Sequence, residues 1–356
     1  MPWLNLSGQV FSFDRLLTDI DSERLGVFER TALSFCKAWL SGQSEFTIQT
    51  SGSTGAPKPI TFHRSQMEAS ARQTINALGL KAGETALVCL DTQYIAGQMM
   101  LVRSLLSGMN ILLAEPSSNP FAKIKNHRID FTAMVPYQLD AVLNETPEKL
   151  NSLRCVIIGG ATIGNLLKEK IKSCSCEILA TYGMTETISH IALQGLNGLK
   201  AQEYFEALPN IGLRLDERGC LCIKADYLKE EIVTNDLVEL TDNRKFKWLG
   251  RIDNVINSGG IKIIPEKIES VFEKIFDHHQ IKSRFFAAGL PHNQLGQQIT
   301  LIVEGNRFDK STQEKIVAQA GKQLSKYELP KEFKFINIFR QTTTGKINRP
   351  STLALL

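Results

Sequence analysis

Nothing in the 356-residue sequence approaches the ~18 uninterrupted apolar residues that a membrane-spanning helix needs. Its opening residues, MPWLNLSGQVFSFDR, lack the basic start and apolar core of a secretory signal, so a cytoplasmic protein is expected. Runs of like charge are missing too. The 41 Lys and Arg are set against 37 Asp and Glu, a net +4 spread along the chain, which disfavours a nucleic-acid surface and leaves small anions as the better ligands. There is no internal repeat, no low-complexity tract and no Gly-x₄-Gly-Lys-Ser/Thr phosphate loop. Cysteine is too sparse for a disulfide scaffold: seven are scattered, an odd number that fits reduced thiols. The pairs Cys174/Cys176 and Cys220/Cys222 have zinc-binding thiols without the usual wider spacing. Cys220-Leu-Cys-Ile223 reads better as a buried strand.

What is present is alternation. Residues 66–79 have helical spacing and stop at Gly79, 85–90 read as a strand, 95–108 as a helix and 110–115 as a strand. Next come strand 130–135, a helix from Pro136, strand 153–160, helix 163–171 and strand 176–183. Such spacing predicts βαβ units and a mainly parallel sheet, with ligands beyond the carboxyl ends of its strands. From about Leu208 the texture becomes short strands and turns. After Asp253 follow a helix opened by Pro265, strands at 284–290 and 297–305, helix 311–325, strand 332–339 and a polar tail. The expected fold is α/β: a large N-terminal region with a β-rich subdomain, residues 1–250, then a small α+β domain, residues 251–356.

Five stretches carry chemistry, and each also has a plainer reading. In TIQTSGSTGAPKPITF, between two alternating flanks, Ser51, Gly52, Ser53, Thr54, Gly55 and Lys58 suit an anion nest or a flexible turn. In ATYGMTETISHIA, Thr185 and Glu186 suit a phosphate and Mg²⁺, or the cap of a following helix. Asp236 in VTNDLVEL suits ribose hydroxyls or an Asn-Asp turn. Arg251, Asp253, Gly259 and Gly260 suit a domain boundary or a linker with a salt bridge. Lys346 in TTTGKINR is otherwise a solvated tail lysine.

Taken in order, these stretches resemble the adenylate-forming superfamily of acyl- and aryl-CoA synthetases, luciferases and peptide-synthetase adenylation domains. The resemblance covers roughly residues 45–350. It rests on Thr50–Lys58, Tyr182-Gly-Met-Thr-Glu186, Gly250-Arg-Ile-Asp253 with Ser258-Gly-Gly260, and Thr344-Gly-Lys346. It implies ATP, Mg²⁺ and CoA as ligands. The Ser51–Lys58 loop would hold the β/γ-phosphates, and Gly159, Gly160 and Ala161 with Thr181, Tyr182 and Gly183 the adenine. Thr185 would touch the α-phosphate, Glu186 would hold Mg²⁺, and Asp236 with Arg251 would take the ribose. Lys346 would bridge carboxylate and α-phosphate. The small domain would turn about Asp253 and present Gly259–Gly260 to a thiol.

Three departures stand out. Thr234-Asn235-Asp236 replaces the usual Thr-Gly-Asp, and Asn235 is expected to take the left-handed backbone of the missing glycine. Gln93-Tyr94 replaces an aromatic-His pair. The phosphate loop starts near residue 50, implying a shortened N-terminal lobe. The stretch TYGMTETISHIAL most resembles o-succinylbenzoate–CoA ligases of menaquinone biosynthesis, whose acid carries a second carboxylate. Tyr94, Ser189 and His190 are candidates to meet it, His190 otherwise being a helix-face histidine. The expected function is an AMP-forming acid–CoA ligase, possible as a homodimer. The alternatives are an acyl-AMP ligase loading a carrier protein and a non-catalytic nucleotide-binding homologue.

Overall fold

A computed structural model describes residues 1–18, 20–49, 59–124, 127–342 and 347–356. The chain forms two compact units. The first comprises Met1–Ile163, Leu167–Leu213 and Ile223–Ile232; the second comprises Gly164–Leu166, Arg214–Cys222 and Val233–Leu356.

In the first unit the strands are β1 (Trp3–Leu6), β2 (Gln9–Ser12), β3 (Glu45–Gln49), β4 (Pro59–His63), β5 (Thr85–Val88) and β6 (Asn110–Leu113). They continue with β7 (Phe131–Met134), β8 (Cys155–Ile158), β9 (Glu177–Gly183), β10 (His190–Gly195) and β11 (Phe205–Ala207). Nine of them form a sheet in the order β11-β10-β9-β8-β7-β5-β6-β1-β2. From β9 to β1 every pairing is parallel.

Side-chain alternation explains why these strands are buried on both faces. Ala86, Val88, Phe131, Ala133, Cys155 and Ile157 enter one core. Their neighbours Leu87, Met134, Val156 and Ile158 enter the other. A period of two sends successive residues to opposite faces, so an unbroken apolar strand needs a cover on each side. Helices α1 (Val27–Leu40), α2 (Arg64–Leu78) and α3 (Ile95–Ser107) supply Phe35, Met67 and Met99 to the first core. Helix α4 (Pro136–Glu145) supplies Leu139 and Val142 to the second. Gly79 and Gly108 close α2 and α3 in the left-handed conformation, at φ +59° and +71°, which a side chain would strain.

The second unit has β14 (Ile232–Leu240) and β15 (Lys245–Arg251) as an antiparallel pair, preceded in sequence by β12 (Ile211–Leu215) and β13 (Cys220–Ala225). A five-stranded sheet follows: β16 (Ile256–Ser258), β17 (Ile261–Ile263), β18 (Phe285–His292), β19 (Gly296–Glu304) and β20 (Glu332–Ile336). Helices Pro265–His278 and Lys310–Ala320 cover it with Ile268, Phe272 and Ile316.

The mainly parallel sheet, the β-rich stretch and the α+β layout agree with the sequence reading. Several details differ. His190 opens strand β10, antiparallel to β9, instead of lying on a helix. The helix expected over 311–325 ends at Ala320, and strand 332–339 ends at Ile336. The polar tail contains a short helix, Arg349–Leu353, capped when Ser351 N–H donates to Asn348 Oδ1 at 3.1 Å. Cys220–Ala225 is a buried strand, as its spacing suggested. All seven cysteines are free and six are buried, Cys174 being the exception. Burial pushes the thiols of Cys36, Cys89, Cys155 and Cys176 up to about 12. Among the described residues no helix is long and apolar enough to cross a membrane.

Candidate active site

In the first unit the strand order reverses between β5 and β7, which makes a topological switch point there, and the loops after β8 and β9 continue along the same carboxyl edge of the parallel strands. Ligands of α/β sheets bind at such crevices. After β8 come Gly159, Gly160 and Ala161, the last two exposed. A Cβ on Gly159 would collide with the Thr181 hydroxyl, which itself donates to the Ile158 carbonyl at 3.1 Å. The glycine therefore lets the ends of β8 and β9 approach. Tyr182, half-buried, has Phe205 as a ring neighbour at 5.8 Å.

Strand β9 passes into β10 through a tight turn that presents Thr185 and Glu186. Its cost is visible at Ile188, a β-branched residue with φ +68°, fully buried. Such strain, of order 1–3 kcal/mol, persists only where the surroundings fix it. Thr187 does so. Its hydroxyl contacts Met184 N–H and C=O at 3.0 Å and Ser189 C=O at 2.7 Å, while Ile188 is packed into the core. The turn leaves Glu186 exposed and Thr185 half-buried. An exposed carboxylate is a hard oxygen donor suited to Mg²⁺, an ion that keeps several waters and phosphate oxygens of its own. Among the described residues no group of three His, Cys, Asp or Glu side chains is placed to hold a metal ion.

At the start of β10 lies a group that sequence reasoning missed. Arg103, on α3 and only 2% exposed, donates from Nη2 to Ser189 Oγ. Its Nε has no partner among the described residues, and no carboxylate there forms an ion pair with it. Burial pulls its guanidinium down to about 9. Next to Ser189, His190 is 6% exposed, with Nε2 at 3.0 Å from the Thr74 hydroxyl and Nδ1 at 3.4 Å from Ser189 Oγ. Burial first, and the Arg103 charge second, keep this imidazole neutral well below its ordinary range. Two of the three acid-pocket candidates, Ser189 and His190, thus lie beside Arg103, with the Ser189 hydroxyl as the shared contact. Tyr94 instead precedes α3 as its N-cap residue and is 37% exposed. The available signal was one arginine inside the apolar helix IAGQMMLVRSLLSG.

In the second unit, Asp236 on β14 is 7% exposed and sits opposite Arg251 on β15. It accepts from Trp248 Nε1 at 3.2 Å, and its Oδ1 lies 3.7 Å from Arg251 Nη1. Arg251 Nη2 donates to Asp253 Oδ2 at 2.7 Å. Gly259 and Gly260, at φ +58° and +83°, form the two-residue turn between β16 and β17, a geometry that favours glycine at both places. The backbone of Asn235 does not adopt the expected left-handed conformation. The residue lies within strand β14 with no positive φ, and its side chain is engaged instead.

Ser51, Gly52, Ser53, Thr54, Gly55, Lys58 and Lys346 lie outside the described residues. What flanks them is described. Gln49 pairs with Pro59 where β3 and β4 meet the first loop. Gln341 bridges Ile347, and Asn348 N–H donates to Arg340 C=O at 2.8 Å, at the base of the second.

These features define an enzyme of adenylate chemistry: the chain belongs to the AMP-binding enzyme family, whose profile matches residues 41–221. The relatives narrow the class. A solved acyl-CoA synthetase (AMP-forming)/AMP-acid ligase II-like protein from Dyadobacter fermentans is 39% identical. The match covers 97% of this chain and 98% of that one, with a TM-score of 0.64. A 2-succinylbenzoate–CoA ligase of Bacillus cereus is 25% identical over 333 residues, 85% of this chain and 68% of the relative. The o-succinylbenzoate CoA synthetase of Bacillus subtilis, solved with its acyl-adenylate OSB-AMP, shares the fold at 22% identity, with a TM-score of 0.74 over 85% of this chain and 68% of its own. The chain spans about two thirds of the length of these ligases.

Proposed function

We propose that the protein is an AMP-forming acid–CoA ligase acting on o-succinylbenzoate, with ATP, Mg²⁺ and CoA as its other ligands. The observation that carries the choice of acid is Arg103: a buried guanidinium beside Ser189 and His190 with no carboxylate of its own among the described residues. A buried cation of this kind is costly unless an anion joins it, and a dicarboxylic acid supplies one. The 2-succinylbenzoate–CoA ligases among the relatives point the same way.

The reaction has two halves. In the first, the substrate carboxylate attacks the α-phosphorus of ATP and pyrophosphate leaves. In the second, the CoA thiol attacks the acyl carbon and AMP leaves. No covalent enzyme intermediate is required, so positioning and neutralisation of developing charge carry the catalysis. Gly159, Gly160, Ala161, Thr181, Tyr182 and Gly183 hold the adenine, and Asp236 with Arg251 the ribose. The Ser51–Lys58 loop takes the β/γ-phosphates and Thr185 the α-phosphate. Glu186 holds Mg²⁺, which when bound neutralises charge on the phosphates. On this reading Lys346, outside the described residues, neutralises charge on the two reacting anions.

Residues 251–356 turn about Asp253 between the halves, withdrawing Lys346 and offering Gly259 and Gly260 to the thiol. The reading includes a cytoplasmic location and assembly as a homodimer, the latter checked by light scattering.

AMP release and thiol consumption, measured over a panel of o-succinylbenzoate, benzoates and short fatty acids, test this function. Turnover is expected with o-succinylbenzoate and CoA without any carrier protein; silence across the panel refutes it. Lys346→Ala is expected to lower adenylation by about 10²–10³ and to leave thioester formation from preformed acyl-adenylate intact. Equal loss in both halves removes the role assigned to Lys346.

A further inference from the structure

Asn235 stands where the family motif has glycine, and its side chain is tied at both ends. Its Nδ2 donates to the two carboxylate oxygens of Asp253 at 3.0 and 3.2 Å. Its Oδ1 accepts from Arg218 Nη1 at 3.0 Å. Arg218 is fixed in turn. Its Nε donates to Asp216 at 2.8 Å and its Nη2 to the Thr234 carbonyl at 3.1 Å. Asp216 also accepts from Arg218 N–H and Cys220 N–H, both at 2.9 Å, so the far end of the chain of contacts is anchored to backbone.

The chemistry allows few residues in this place. A carboxamide offers donors to a carboxylate and an acceptor to a guanidinium, and only one orientation of the amide satisfies both neighbours. A carboxylate at 235 would repel Asp253, an ammonium would repel Arg218, and glycine would reach neither. Asp253 itself lies in the Ile252–Asn254 turn that leaves β15, beside Arg251, its second donor.

We propose that Asn235 is a positioning residue that clasps Asp253 to the Arg218–Asp216 anchor, restraining the turn after β15 and so setting how readily the following segment changes its orientation. The functional consequence rests on the reading of Asp253 as the pivot between half-reactions; the clasp itself does not. Without the Asn235 side chain, Asp253 keeps Arg251 as its one side-chain donor among the described residues, the turn retains its Asn254–Glu266 contact, and it opens more often.

Hydrogen–deuterium exchange on the full chain without ligands tests the clasp directly. In Asn235→Ala, the amides of residues 252–257 should exchange about fivefold faster, the scale of one exposed charge-assisted hydrogen bond. In Asn235→Asp the increase should be larger, because like charges face each other, and in Arg218→Ala it should be smaller. Amides of β18 and β19 should be unchanged, showing an intact fold. Unaltered exchange at 252–257 in both Asn235→Ala and Arg218→Ala overturns the proposal, whatever happens to Asn235→Asp.

A second readout separates positioning from general support. The ratio of pyrophosphate exchange to thioester formation from preformed adenylate should shift at least threefold in Asn235→Ala, with KM for ATP unchanged. A parallel loss in both halves, with a raised KM, counts against the clasp. If the unmodified protein shows no pyrophosphate exchange, the ligase reading fails, and the exchange comparison still decides the clasp.

Discussion

Arg218 and Arg251 in the second unit are partly exposed, and each faces a carboxylate of its own chain, at 2.8 and 2.7 Å. Arg103 in the first unit is buried, touches a serine hydroxyl and meets no carboxylate among the described residues. The difference separates two uses of one side chain. Exposed arginines with internal partners fix geometry at little energetic cost, each pair being worth about 0–1 kcal/mol. A desolvated guanidinium without an anion costs several kcal/mol, so it weakens the folded state unless a ligand completes it.

The contrast breaks most visibly at Arg103. Arg103→Met should lower kcat/KM for o-succinylbenzoate about 100-fold, the scale of a lost charge-assisted pair in a dry site. An acid lacking the second carboxylate should lose far less. The melting temperature should hold or rise, since an uncompensated charge is removed. Equal losses for both acids would place Arg103 outside acid recognition.

His190 sharpens the same comparison through pH. Its folded-state imidazole titrates below the unfolded value of ~6.5, so the unfolded chain binds the proton first as the pH drops. Stability from this residue is full above ~6.5 and falls towards acid, by at most about 1.4 kcal/mol per pH unit. Urea midpoints measured from pH 7 to 5 should therefore fall more steeply for the native protein than for His190→Gln. Arg103→Met should flatten the slope in part, because the arginine's charge is the second cause of the shift.

Arg251→Met tests the other kind of arginine. KM for ATP should rise about fivefold, and stability should change by less than about 1 kcal/mol, because the side chain is 39% exposed. A loss of stability matching a core deletion would contradict the division drawn above. Gly79→Ala is the smallest change: it places a side chain at φ +59°, costs about 1 kcal/mol and should lower the melting temperature by ~2 °C with activity unaltered.

The sequence was readable where local rules decide the outcome. Helix α4 runs from Pro136 to Glu145 as its pattern predicts, and the parallel strands are short apolar runs between turn residues. Motif order also pointed to the family whose profile matches residues 41–221. It was unreadable where distant side chains decide. For His190 the sequence offers a contact to the acid or, as the plainer alternative, a helix face; antiparallel pairing with β9 and burial against Thr74 rule out the helix. Asn235 was given a backbone reason, although its partners Arg218 and Asp253 lie 17 and 18 residues away. Arg103 drew no reading from the sequence, because only packing shows that its face of α3 is covered.

The silent thiols have a practical consequence. A reagent reacts with thiolate, and burial holds Cys36, Cys89, Cys155 and Cys176 in the protonated form. Cys174 alone is not buried, and its thiol too is shifted upward. A colorimetric titration of free CoA can therefore run in the presence of the native enzyme with at most one slow protein signal. The same property protects a catalyst that handles a thiol substrate from forming mixed disulfides with it.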